Sequence, residues 1–290
     1  MMSQFYNNMK TAVLLGSLTA LMMVAGHLIA PGGQGVTIAL IMAVAMNAFA
    51  FFFSDKIAIM SMGAHEVGAD HELYQITAQL AQRAGLPMPR VYVSPQMAPN
   101  AFATGRSPSH AAVCATEGLM QMLSRDEVAG VMAHELAHVK HRDILIQSVA
   151  TTIGAAISYL GYMFMWGGGG GGRDDEDAHP LAGLLVLILG PLAAGLIQAA
   201  ISRSREFNAD KEGAEICGNP MYLATALEKI HLAARQIPMD VNPAYNSLFI
   251  AEPRNVMRTM ANLFSTHPPL ERRLRNLIGR ESTGFFRHAA

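Results

Sequence analysis

Two histidines and a glutamate form the pattern His-Glu-x-x-His at His134, Glu135 and His138. On a helix, residues four apart lie on one face, so both histidines can direct a ring nitrogen at one zinc ion. Glu135 lies beside that pair and can hold a water molecule against the metal. The same pattern also occurs by chance on surface helices that carry two solvated histidines, so the motif alone does not decide its role.

The residues around the motif indicate the helix that it needs. Ser124 and Glu127 form an S-x-x-E capping box at the predicted start. The predicted apolar side of this helix consists of Val128, Val131, Met132, Leu136 and Val139.

A catalytic zinc usually has three protein ligands, and the two histidines leave it one short. Glu206 and Asp210 stand four apart, directly after the last of four apolar runs. Because the third and fourth runs predict a membrane hairpin, Glu206 returns to the membrane face of His138. We therefore predict Glu206 as the third ligand and Asp210 as the acceptor for the other ring nitrogen of a zinc histidine. The alternative is a solvated acid pair in a helix next to the membrane.

The composition predicts a membrane protein. Charged residues make up only 15% of the 290 residues, and the mean hydropathy is +0.24. Four apolar runs lack Lys, Arg, Asp and Glu and are long enough to cross a bilayer: 11–30, 35–53, 144–166 and 181–201. The net charge of −1 gives no indication of nucleic-acid binding. Cys114 and Cys217 are interpreted as small apolar fillers.

Basic residues set the predicted orientation. The loop after the first run has none, and the Gly-rich acidic loop after the third has only Arg173. The opposite ends of the runs carry Lys10, Lys56, Lys140, Arg142, Arg203 and Arg205. By the positive-inside rule, both termini and the metal helix face the cytoplasm. Since Lys140, Arg142 and Asp143 separate the motif from the third run, the site lies outside the bilayer rather than within a span.

The polar segment before the metal helix predicts one helix and three short strands. The helix ends at Ala84, before Gly85, and the strands cover 90–94, 100–105 and 111–116. The pairs His65-Glu66 and His71-Glu72 lack a second histidine at the required position, and we interpret them as solvated charges near the start of that helix. The segment 236–259 is either a mobile lid or a loop.

His267 stands before two prolines in Thr266-His267-Pro268-Pro269. Its backbone is restricted, and its side chain could stabilise charge on a substrate carbonyl oxygen. From the residues alone, a structural histidine is the alternative.

The chain resembles the HtpX family of membrane zinc metalloproteases, which is related to the CAAX prenyl endopeptidases. The resemblance covers nearly the whole chain and rests on four motifs, at 100–105, 134–138, 202–210 and 266–269. It implies a zinc endopeptidase of the cell inner membrane, active at the cytoplasmic face on misfolded or damaged membrane proteins and often part of a stress response. It also implies that Asn100, Ala101 and Phe102 pair with substrate backbone, and it favours a catalytic role for His267.

The predicted fold is α+β and predominantly helical. It has four transmembrane helices and a zincin-like cytoplasmic domain with a small β-sheet. Residues 1–56 and 144–201 would form two transmembrane hairpins, and residues 57–143 and 202–290 the two parts of the catalytic domain. One Zn2+ per subunit would be held by His134, His138 and Glu206, with Glu135 as general base. The expected partners are protein substrates and the lipid bilayer. The alternatives are a zinc-binding scaffold without catalysis and a prenyl-protein-type processing peptidase.

Overall fold

The computed structural model describes residues 2–29, 33–150, 152–153, 203–234 and 268–283. This part of the chain is mostly helical and contains one small mixed sheet. Up to the metal motif the elements are α1 (Met2–Ile29), α2 (Gly33–Ser61), β1 (His65–Glu66), α3 (Glu72–Ala84), β2 (Arg90–Ser94), β3 (Ala101–Gly105), β4 (Ala111–Thr116), α4 (Glu117–Met122) and α5 (Arg125–His141). Residues 143–150 are also helical. The later helices are α6 (Arg203–Cys217), α7 (Pro220–Ala233) and α8 (Leu270–Ile278).

α1 and α2 pack against each other as an antiparallel pair. The Asn47 amide of α2 donates to the Thr19 hydroxyl of α1 at 2.9 Å and to the carbonyl of Leu15 at 3.2 Å. Among the described helices, α2 is the one that is long and apolar enough to cross a membrane. α1 contains a shorter apolar stretch, Asn8–Val24. The two helices of the predicted first hairpin are thus present, and their crossing of the membrane stays a prediction. Most of the predicted third span and all of the fourth lie outside the described residues.

The three predicted strands are confirmed. They form a four-stranded sheet with β1 in the order β1-β2-β4-β3, in which β2 and β4 are the inner strands and β3 is an outer strand. β2 and β4 are parallel, whereas β1 and β3 run antiparallel to their neighbours. His65 and Glu66 are exposed, as expected, but their placement near a helix start was wrong, because they pair with β2 as β1. His71 is where we expected it and caps α3, since its Nδ1 accepts from the Leu73 amide at 3.1 Å.

α5 lies at the centre of the main core, between the sheet and the later helices. Every residue from 130 to 139 is buried, so the helix is enclosed on all sides rather than apolar on one. Two glycines allow this packing: a Cβ at Gly130 would lie 2.5 Å from the Leu223 amide nitrogen of α7, and one at Gly213 of α6 would lie 2.9 Å from the His134 backbone. The small residues therefore bring α6 and α7 into backbone contact with the metal helix.

The carboxyl end of α2 packs on the sheet. Ala58, Ile59 and Met62 pack on the face of the sheet that presents Tyr92 and Phe102. Asp55 also accepts from Arg90 at 2.7 Å. One continuous helix thus joins the apolar run to the sheet, and the predicted domain boundary after residue 56 falls inside it.

Candidate metal centre

The capping box fixes the start of the helix that carries the motif. The Ser124 hydroxyl accepts from the Glu127 amide, and the Glu127 carboxylate accepts from the Ser124 amide at 2.8 Å. This prediction is confirmed. The carboxylate of Glu127 also accepts from Lys229 of α7, which ties the cap to the neighbouring helix.

Three buried side chains converge beside α5. The Nε2 atoms of His134 and His138 lie 3.2 Å apart. Glu206, from α6, places one carboxylate oxygen 3.7 Å from His134 Nε2 and the other 3.5 Å from His138 Nε2. One ligand atom from each residue lies within 4.8 Å of the other two. The structure thus brings together the three side chains that the sequence predicted as ligands.

Each histidine has a carboxylate at its other ring nitrogen. His134 Nδ1 lies 3.0 Å from Asp210 Oδ1, at hydrogen-bond length although the alignment is bent. His138 Nδ1 lies 3.1 Å from Asp143 Oδ2. With both Nδ1–H groups directed to these acids, both Nε2 lone pairs point into the gap between the rings. Lone pairs that face each other beside the Glu206 carboxylate repel unless a metal ion or a proton lies between them.

The donor set and its spacing fit zinc. Two ligands on a tetrahedral zinc, each about 2.0–2.1 Å from the ion, lie about 3.3–3.4 Å apart. The two Nε2 atoms, 3.2 Å apart, lie close to that separation. One Glu206 oxygen lies 3.7 Å from His134 Nε2 and the other lies 3.5 Å from His138 Nε2. Nitrogen from histidine and oxygen from glutamate are also the donors of many catalytic zinc sites.

The charge of the surrounding side chains points to a divalent cation as well. In the described part of the centre, four buried carboxylates face two buried guanidinium groups, which leaves a formal charge of −2 when both histidines are neutral. The acids are Glu135, Asp143, Glu206 and Asp210, and the cations are Arg205 and Arg273. Burying that excess without a cation would be costly.

The pKa shifts of His138 and Asp210 reflect the charges around them. Burial lowers the pKa of His138, but its hydrogen bond to Asp143 and the charge of Glu206 outweigh burial and raise it to about 9. Burial raises the pKa of Asp210, but the charge of Arg273 outweighs burial, and the pKa falls to about 2. The centre therefore favours positive charge at His138 and keeps Asp210 ionised.

Asp143 and Arg273 are site residues that our sequence reasoning missed. Asp143 follows His138 by five positions, which is not a helical spacing. It reaches the ring because Arg142 ends α5 in a left-handed conformation with φ 59°. Arg273 shares the helical face of Leu270, Leu274 and Leu277, which was the available signal that its side chain is buried.

The predicted substrate strand lies against the metal helix. β3 is an edge strand of the sheet, and no further strand pairs with it among the described residues. The Asn100 amide donates to the Thr116 hydroxyl at 2.9 Å. Ala101 faces the core around α5, whereas Phe102 packs under α2. The Phe102 side chain thus has a core role, and the pairing of this strand with a substrate stays a prediction. His267 lies outside the described residues.

Comparisons with known proteins give one consistent result. Residues 68–281 match the model of peptidase family M48. A protein from Desulfatibacillum aliphaticivorans named Protease HtpX homolog is 51% identical over 94% of this chain and 89% of its own length. A protein of the same name from Syntrophotalea carbinolica is 52% identical over 93% of this chain and 98% of its own length. The crystal structure of Ste24p from S. mikatae shares the fold, with a TM-score of 0.52 and 19% identity over 96% of this chain and 67% of Ste24p.

Proposed function

This chain belongs to peptidase family M48 and is a membrane-bound metalloprotease, and from that premise we propose that His134, His138 and Glu206 hold one catalytic zinc ion. The observation that carries the proposal is the convergence of these three buried side chains, with a carboxylate behind each histidine. When bound, zinc polarises the scissile carbonyl and lowers the pKa of a water molecule.

Glu135 is the proposed general base. It follows His134 on α5 and is 6% exposed, and its charge helps to raise the pKa values of His138 and Arg273. A carboxylate so placed can take a proton from the attacking water and deliver it to the leaving amine. Asp210 and Asp143 keep the two histidine rings oriented, so that both Nε2 atoms remain available.

The substrate is proposed to bind as an extended peptide along β3, with its backbone added to the edge that starts at Asn100, Ala101 and Phe102. His267, three residues before the first residue of α8, is proposed to stabilise charge on the substrate carbonyl oxygen. Misfolded or damaged membrane proteins are the proposed substrates, as for a quality-control protease.

The proposed location is the cell inner membrane, with four spans and the metal centre at the cytoplasmic face. Two observations support it. α2 passes without interruption from an apolar stretch into the sheet of the catalytic domain. The basic residues that flank the apolar runs lie on the side of α5 and α6.

The test is zinc-dependent cleavage of casein by the purified enzyme. Chelation should abolish cleavage, and added zinc should restore it. Glu135→Gln should keep its zinc, because the ligands are unchanged, but its activity should fall by about 10²–10⁴-fold. Near-wild-type hydrolysis by a fully metallated Glu135→Gln enzyme would overturn the mechanism, and a metallated wild type without any cleavage would favour a scaffold.

A further inference from the structure

Arg273 is the most deeply buried cation of the described chain near the metal centre. It is 2% exposed and projects from α8, the last described helix. Its neighbours Arg272 and Arg275 are both exposed. A buried guanidinium is costly unless it is paired and fully hydrogen-bonded, so this arginine requires a partner that its neighbours do not.

That partner is Asp210. Arg273 Nε donates to Asp210 Oδ2 at 2.9 Å, and a terminal nitrogen of Arg273 donates to Oδ1 at 2.6 Å. This is a bidentate pair, in which the planar fork of arginine fixes both the position and the plane of the carboxylate. A lysine could neutralise the charge but could not fix the plane.

The carboxylate that Arg273 fixes is the one behind the metal histidine. Asp210 Oδ1 lies 3.0 Å from His134 Nδ1, so one oxygen serves both Arg273 and His134. Because both carboxylate oxygens are occupied by Arg273, Asp210 is also held back from the gap between the two histidine rings. Glu206, four residues earlier on the same helix, fills that gap instead.

From this geometry, and resting on the proposed zinc site, we propose that Arg273 is a positioning residue through which α8 completes the metal centre. It acts through Asp210 on His134 and keeps the two acids of α6 in different roles, Glu206 as ligand and Asp210 as support. Docking of α8 and retention of the metal are therefore coupled. Leu274, beside Arg273 and fully buried in the core, holds the helix in place.

The experiment measures zinc affinity and dissociation by chelator competition, in full-length protein that carries Glu135→Gln so that self-cleavage cannot interfere. Arg273→Gln should weaken zinc binding about 10–100-fold, as for loss of a supporting group. Arg273→Lys should recover part of that loss. Arg272→Gln, the same change at an exposed position of the same helix, should have no effect.

The visible absorption spectrum of cobalt(II) bound in place of zinc reports the geometry of the ligands. A loss of stability alone would not change that spectrum. In Arg273→Gln, the visible absorption bands of the cobalt-loaded protein should shift, because the His134 ring loses its orientation. In an Asp210→Asn background, Arg273→Gln should add nothing further to the loss of affinity. If Arg273→Gln alone does not fold, the double variant avoids the unpaired buried charge and should fold and bind zinc as weakly as Asp210→Asn.

The outcomes separate this proposal from the zinc site itself. A parent protein that does not bind zinc would overturn both. A parent that binds zinc tightly, together with a folded Arg273→Gln variant of unchanged affinity and cobalt spectrum, would overturn the role of Arg273 alone. Full additivity of Arg273→Gln and Asp210→Asn would likewise contradict it.

Discussion

At the scale of single residues, each metal histidine has both ring nitrogens engaged. His134 and His138 face each other through Nε2 and face Asp210 and Asp143 through Nδ1. The acids come from different elements, one from α6 and one from the start of the helical stretch after α5. Removing either acid would free a ring to rotate or to change its tautomer, which lowers metal affinity without removing a ligand.

Asp143→Asn tests whether Asp143 orients the ring of His138, a role that the sequence analysis did not predict. The amide keeps the size of the side chain but loses the charge that holds His138 Nδ1–H. Metal affinity should fall about 10–100-fold, measured by competition with a chromophoric chelator. The matched control is Asp126→Asn, the same change at an exposed position of α5. Equal affinities of the two variants would show that Asp143 does not support the centre.

Sequence spacing predicted the residues that helical periodicity brings together, and the placement of Glu206 beside them rested on a predicted hairpin that lies outside the described residues. His134 and His138 are one turn apart, and so are Glu206 and Asp210. The role of Asp143 was not predicted, because its position depends on the left-handed backbone conformation of Arg142. The spacing of polar residues in the sequence does not reveal such a conformation.

At the scale of elements, the site depends on close packing of α5 against α6. Gly213 lies against the backbone of His134, and a Cβ there would lie 2.9 Å from both its Cα and its nitrogen. Backbone atoms cannot rotate away as a side chain can. The whole of α6, including Glu206, would have to move.

Gly213→Ala should therefore lower both stability and metal affinity. Overpacking of this kind costs about 1–3 kcal/mol, which should appear as a lower midpoint of thermal unfolding in detergent. Gly16→Ala in α1, where a Cβ would meet nothing within 4 Å, is the control and should leave the midpoint unchanged. An unchanged midpoint and full zinc content in Gly213→Ala would show that α6 can shift without harm to the site.

Local patterns predicted the strands and the metal helix, but not how they assemble. β1 consists of two residues and has no periodicity to detect. The sheet order and the pairing of β2 with β4 are contacts between distant residues, which turn chemistry does not specify. The enclosure of α5 could likewise not be read from its sequence, because Gly130 and Gly213 matter only through the helices they touch.

At the scale of the whole molecule, orientation in the membrane decides which proteins the enzyme can reach. In a background without Cys114 and Cys217, both of which are buried, a single cysteine at Gly170 should react with a membrane-impermeant reagent in intact cells. Arg280→Cys, at an exposed position after α8, should react only after the cells are opened. The reverse pattern would place proteolysis outside the cytoplasm and contradict the orientation inferred from basic residues.

In the proposed mechanism, Glu206 joins His134 and His138 as the third protein ligand of one zinc ion. The most direct measurement is zinc content per chain after dialysis, taken with casein cleavage, for wild type and Glu206→Gln. The amide is a weaker ligand than the carboxylate. We predict one zinc per wild-type chain and loss of both zinc and activity in Glu206→Gln. Full zinc and full activity in that variant would contradict it and move the third ligand elsewhere, first of all to Asp210.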